Sequence, residues 1–121
     1  MVAQGRRVVV VADDDEAMRL LCRVNLELEG YDVVEAASEA EVESALAGGD
    51  VTLVLLDIHL GNDDGIAIAR GIRPRYPDVA IAFLSGSVRF GENSAEVSDA
   101  SIRKPFTLEE LVETVHRLAP R

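Results

Sequence analysis

The chain has 121 residues, 48% of them apolar, and 22 acidic against 12 basic side chains give it a net charge of −10. That size fits one compact domain burying about two-thirds of the surface its unfolded chain exposes. The acidic balance, with no basic run interleaved with aromatics, argues against direct nucleic-acid binding. A lone cysteine, Cys22, excludes an internal disulfide and suits a reducing cytosol. No charged segment followed by a long apolar one opens the chain, and no apolar run approaches the roughly 20 residues of a membrane helix. The expectation is a soluble, cytoplasmic single domain over residues 1–121, without a membrane partner.

The run from Arg6 to Ala12 ends in four valines and an alanine, and Asp13-Asp14-Asp15 closes it. It reads as a strand buried on both faces, with Asp14 or Asp15 placed to cap a following helix. Ala17, Leu21, Val24 and Leu28 recur at helical spacing and mark that helix's expected inward face. Gly30 stops it, and Tyr31–Ala36 is a shorter strand. Ser38 and Glu41 fit a capping box for a second helix, with Val42, Ala45 and Leu46 turned inward and Gly48-Gly49 at its end.

The stretch Val51–Leu56, apolar except at Thr52, runs without a break into Asp57. A loop of Gly, Asn and Asp follows, to Gly65. Ile66–Tyr76 is helical in pattern, shortened by Pro74 and Pro77. Val79–Leu84 is a further buried strand ending at Ser85-Gly86, and Ser101–Lys104 is a short one bounded by Pro105. Thr107 caps a final helix with Leu108, Leu111, Val112, Val115 and Leu118 on one face. The segment Ser87–Ser98 has few apolar residues, so the helix expected there is short, displaced or mobile. Alternating strands and helices with short connections imply a parallel sheet with right-handed crossovers, an α/β fold in three layers.

Parallel strands bring their C-terminal ends to one edge, where open α/β sheets bind ligands. Here those ends carry Asp13 and Asp14, Asp57, Ser85 and Lys104. A carboxylate such as Asp57 is costly to bury unless a cation or hydrogen bonds meet it. Clustered carboxylates repel unless a divalent cation sits among them, and oxygen-only ligands suit Mg²⁺. A metal, an ammonium and a hydroxyl around one carboxylate are what phosphoryl transfer to that carboxylate requires. Lys104 is the only lysine beside eleven arginines. A compact ammonium suits contact with a single carboxylate or phosphoryl oxygen better than a guanidinium fork does.

Four pieces, Val-Ala-Asp13-Asp14-Asp-Glu, Leu-Leu-Asp57-Ile-His-Leu-Gly-Asn-Asp-Asp-Gly65, Phe-Leu-Ser85-Gly86 and Lys104-Pro105-Phe106, stand in this order across nearly the whole chain. Together they resemble the receiver domain of two-component response regulators. The resemblance implies a flavodoxin-like, CheY-like sandwich with five parallel strands in the order 2-1-3-4-5. It implies Asp57 as phosphoacceptor, Mg²⁺ held by Asp14 and Asp57 directly, by Asp13 through water and by the backbone carbonyl of His59. Ser85 would hydrogen-bond a phosphoryl oxygen, Lys104 would pair with Asp57 or its phosphate, and the Lys104–Pro105 bond would be cis. The implied donor is a sensor histidine kinase or histidine phosphotransfer protein, and the signal passes to a downstream protein or output domain.

Three departures stand out. Gly61 occupies a position where the family usually has proline, which predicts a less rigid loop. Ser101, three residues before Lys104, replaces the usual aromatic switch residue. The span from Ser85 to Lys104 is shorter than is common, so ordering or movement of Ser87–Ser98 is the expected route for the signal. The alternative function is a small Mg²⁺-dependent phosphohydrolase with an aspartyl-phosphate intermediate. That enzyme would want an acid/base carboxylate where His59 stands, and a cap insertion that this chain lacks. His59 reads instead as an exposed loop residue tuning the access of water.

Overall fold

The structure is a computed structural model that describes residues 7–86 and 97–120. Strand β1 (Val8–Ala12) leads to helix α1 (Glu16–Leu28), then β2 (Asp32–Ala36), α2 (Glu39–Ala47) and β3 (Val51–Asp57). A hairpin of two-residue strands, β4 (His59–Leu60) and β5 (Asp63–Asp64), precedes α3 (Gly65–Arg75). Strands β6 (Ala80–Ser85) and β7 (Ala100–Arg103) and helix α4 (Leu108–Leu118) complete the described elements. The main sheet is parallel throughout, in the order β2-β1-β3-β6-β7. With the hairpin set aside this is 2-1-3-4-5, as the family resemblance implied.

The continuous apolar runs of β1 and β3 are buried because each face of the sheet carries its own core. Val10, Ala12, Val54 and Leu56 pack under α2 and α3 with Val42, Leu46, Ile68 and Ile72. Their alternates Val9, Val11, Leu53 and Leu55 pack under α1 and α4 with Cys22, Leu26, Leu111 and Val115. This alternation is the two-residue period of a strand read on both sides.

Helix caps follow the local chemistry. Asp15 accepts from the amides of Ala17 and Met18 at the start of α1, and Thr107 with Glu110 forms a complete capping box on α4. Ser38 caps α2 through the amide of Glu41, while the Glu41 carboxylate reaches the amide of Ala37 rather than that of Ser38.

The inward face expected for α1 is corrected. Leu21, Val24 and Leu28 are 43%, 43% and 78% exposed, whereas Met18, Cys22 and Leu26 meet the sheet. The helix carries two apolar stripes at equally good spacing, so periodicity alone does not choose between them. Rotation is fixed by polar anchors: Arg19 and Arg23 both reach Glu35 on β2, at 3.2 and 2.6 Å. These contacts turn the narrower stripe, with its small cysteine, onto the strands. Burial pushes the Cys22 thiol up to about 11, which makes it an inert packing group.

Strand β7 is drawn to the sheet by Asp99, whose carboxylate accepts from the amide of Ile81 (2.9 Å) and from Arg73 (2.8 Å). Burial works against the charge on Asp99, but these two hydrogen bonds prevail and hold its carboxyl below the usual range. The short helix expected within Ser87–Ser98 falls mainly on residues 87–96, outside the described residues. At the opposite edge the Tyr31 hydroxyl donates to the carbonyl of Ala119 (2.7 Å), and Arg7 Nε donates to that of Pro120 (2.6 Å). Among the described residues no helix is long and apolar enough to cross a membrane.

Candidate functional site

Strands β1, β3, β6 and β7 deliver Asp13, Asp57, Ser85 and Lys104 to one edge, as parallel order requires. Asp13 (1% exposed) continues the β1 ladder by donating its amide to Ala36, and Asp57 (7% exposed) ends β3. Asp14, one residue further along the chain, is exposed. The carboxylate oxygens of Asp13, Asp14 and Asp57 lie within 4.8 Å of one another.

Lys104 closes this cluster. Its Nζ donates to Asp13 Oδ2 at 2.6 Å and to Asp57 Oδ2 at 3.0 Å. The other oxygen of each buried carboxylate takes a backbone amide two residues ahead: Asp15 N reaches Asp13 Oδ1 and His59 N reaches Asp57 Oδ1, both at 2.9 Å. Each buried acid therefore spends one oxygen on its own turn and the other on the shared ammonium. Lys104 is itself placed by its amide, which bonds the Ser85 carbonyl at 3.0 Å, and the Lys104–Pro105 peptide is cis, as expected. Ser85 is buried at the end of β6, one residue beyond Leu84, the register partner of Asp57.

Electrostatics follow from this packing. Burial pushes the Asp13 carboxyl above the ordinary carboxylate range, and the Lys104 hydrogen bond only partly offsets it. Burial would also discharge Lys104, but its bonds to Asp13 and Asp57 together outweigh that and hold the ammonium above its ordinary value. Three carboxylates against one ammonium leave two negative charges in excess, and every donor is a hard oxygen. That donor set fits a divalent cation such as Mg²⁺.

The loop after Asp57 is a hairpin rather than an irregular connection. His59 pairs with Asp64 and Leu60 with Asp63, and Gly61 at the tip has φ +61°. Proline is locked near −65°, so it has no place at this turn. Gly61 belongs to a defined turn. His59 exposes its side chain and contributes its amide to Asp57.

Sequence reasoning missed two residues that build this site. Gly65 opens α3 with its amide on the Ile58 carbonyl at 2.6 Å. A Cβ there would collide with the Asp57 carbonyl oxygen and stand 2.8 Å from Ile58 Cα. The signal was the Asp64-Gly65 pair immediately before a helical pattern. Arg19 is the second: its Nη1 donates to the Asp13 carbonyl at 2.6 Å. Helical spacing shows where Arg19 lies on α1 but not what it reaches.

With this geometry in place, the chain matches the family described as the response regulator receiver domain over residues 9–116. The chain belongs to this family. The aerobic respiration control protein ArcA of Escherichia coli K12 is 33% identical to the receiver domain over 116 residues, which are 93% of this chain and 48% of ArcA. The sensor kinase CckA of Brucella abortus is 32% identical over 119 residues, which are 94% of this chain and 13% of CckA. The receiver domain thus spans about half or less of these curated relatives. Among solved structures, a response regulator from Thermotoga maritima superposes with a TM-score of 0.85 at 29% identity, covering 96% of this chain and 99% of that one. The response regulator protein TrrA from Thermotoga maritima, in complex with Mg²⁺-BeF, gives 0.84 at 31% identity over 93% and 98%. The receiver domain is a phosphoacceptor signalling switch of two-component systems.

Proposed function

We propose that Asp57 is the phosphoacceptor of this receiver domain and that residues 1–121 act as one such unit. The observation that carries the assignment is Lys104 Nζ bridging Asp57 and the buried Asp13 beside the exposed Asp14. In this reading Asp14 and Asp57 would hold Mg²⁺ directly, Asp13 would hold it through water, and the His59 carbonyl would complete the set. When bound it neutralises charge on the phosphoryl oxygens. Asp57 attacks phosphorus, the phosphorus–nitrogen bond of a phosphohistidine breaks, and the imidazole departs. Lys104 then pairs with the phosphate on Asp57, and Ser85 donates its hydroxyl to a phosphoryl oxygen. Attack by water later releases inorganic phosphate and returns the carboxylate. The domain acts on its own phosphoryl group in the cytoplasm and turns over no free substrate.

Incubation with Mg²⁺ and acetyl phosphate, followed by intact mass, tests this. The expected result is one phosphoryl adduct in the parent protein and none in Asp57→Asn. An adduct that persists in Asp57→Asn overturns the assignment. Continuous phosphate release from unrelated monoesters would point to the phosphohydrolase instead.

The donor in this reading is a phosphohistidine-bearing protein, a sensor histidine kinase or histidine phosphotransfer protein, and α1 gives it a surface. Ala17, Leu20, Leu21, Val24 and Asn25 line an open apolar hollow of about 310 Å³. The helix carrying it begins at Glu16, next to the Asp13–Asp15 turn, so a helix laid in the hollow is continuous with the site. Leu20→Ser combined with Val24→Ser is expected to slow transfer from a protein phosphodonor by about tenfold or more. Labelling by acetyl phosphate should be unchanged. Equal slowing with both donors would remove α1 from donor recognition. The downstream protein or output domain then reads the phosphorylated state.

A further inference from the structure

We propose that Arg19 is a positioning residue for the metal-binding turn, acting through the peptide that joins Asp13 to Asp14; this rests on the Mg²⁺ reading above. The guanidinium is largely buried and works in two directions. Nη1 donates to the Asp13 carbonyl at 2.6 Å, and Nε pairs with Glu35 Oε1 at 3.2 Å. Glu35 is held in turn by Arg23 at 2.6 Å. The chain of contacts runs from β2 through Glu35 and Arg19 to the main chain at the end of β1.

That placement has a mechanical meaning. A peptide unit is planar, so fixing the carbonyl of Asp13 also fixes the amide and Cα of Asp14 and leaves only rotation about its N–Cα bond to aim the side chain. The Asp13 amide is already bound to Ala36 and its carboxylate to Asp15 and Lys104. Asp14, by contrast, is exposed, and the peptide preceding it is oriented by Arg19. A planar fork serves both partners at once, which a lysine on a flexible stem does not. Arg19 thus prepares the exposed ligand of the cluster, as groups behind first ligands do in metal sites generally.

The sign of the effect separates positioning from simple charge. Removing a cation near a divalent-metal site should tighten metal binding if Arg19 acts only through its field. Positioning requires the opposite. Calorimetric titration of the full chain with MgCl₂ is therefore expected to show Arg19→Gln binding about tenfold more weakly than the parent protein. Arg19→Lys should recover part of this loss, and Glu35→Gln should lose less, because the Asp13 contact survives. Thermal melts without Mg²⁺ supply the structural control. Arg19→Gln that melts earlier but binds Mg²⁺ as the parent does, or more tightly, overturns the proposal. If Arg19→Gln does not fold, Arg19→Lys and Glu35→Gln carry the test, and parent-like affinity in both overturns it equally. Failure of the underlying metal reading looks different: the parent protein itself takes up no Mg²⁺, or Asp14→Asn binds it undiminished.

Discussion

Gly65→Ala is expected to lose at least about 3 kcal/mol of stability, measured by urea unfolding, together with acceptance of a phosphoryl group on Asp57. The added methyl runs into the peptide that joins Asp57 to Ile58: the Asp57 carbonyl, and Ile58 Cα at 2.8 Å. Backbone cannot step aside as a side-chain tip can, so either α3 lifts away or the end of β3 moves. Both displace Asp57, because Gly65 N is hydrogen-bonded to the residue after it. Gly71 supplies the control, since a Cβ there meets nothing within 4 Å in the same helix. Gly71→Ala should be neutral or stabilising by about 0.5–1 kcal/mol through helix propensity and unfolded-state entropy. If Gly65→Ala is as stable as Gly71→Ala, the close approach does not hold the site.

Lys104→Met is the second large effect. Asp13 and Asp57 would keep their backbone amides but lose the ammonium they share at 2.6 and 3.0 Å. Breaking a buried pair by removing one partner costs about 3–5 kcal/mol; partial exposure of Lys104 brings the expectation to about 2–3 kcal/mol at neutral pH. The pH dependence has a definite sign. The ammonium is held above its ordinary value, so its contribution is full below about 10.5 and fades as pH rises through the folded-state value. The Asp13 carboxyl is already raised, so its ionisation costs stability as pH climbs above its ordinary 3.8. The deficit of Lys104→Met should therefore be small in acid, grow from pH 4 toward neutrality, and narrow again in strong alkali. Adding Asp13→Asn to Lys104→Met should restore much of the loss at pH 7. A pH-independent deficit, or no rescue, would show that Lys104 matters for packing rather than for charge.

The sheet was legible because its strands are nearly unbroken apolar runs, each ending in a polar side chain. Topology then does the rest: once β1, β3, β6 and β7 are parallel, Asp13, Asp57, Ser85 and Lys104 must share an edge. The orientation of α1 was not legible, because Leu21-Val24-Leu28 and Met18-Cys22-Leu26 fit the helical period equally well. What decides between them is the pairing of Arg19 and Arg23 with Glu35, a contact between elements that no local pattern encodes. The hairpin after Asp57 was hidden for a related reason. Its strands are two residues long, too short for alternation to register, and it is the pairing of His59 with Asp64 and Leu60 with Asp63, turned at Gly61, that reveals it. Sequence patterning showed which residues converge; the groups that aim them had to come from the structure.

The bond from Arg7 to the carbonyl of Pro120 brings the described start and finish of the fold within one side chain of each other. A unit whose two ends leave from the same spot behaves as a cassette. A host polypeptide can carry it on one flank, or between two other parts, without prising the sheet open. It can also be coupled mechanically at that single attachment point, at the sheet edge opposite Asp57. A receiver that takes up 13% of one relative and about half of others suits such portability. Any pull a host exerts there falls first on the Tyr31–Ala119 and Arg7–Pro120 ties rather than on the acidic cluster.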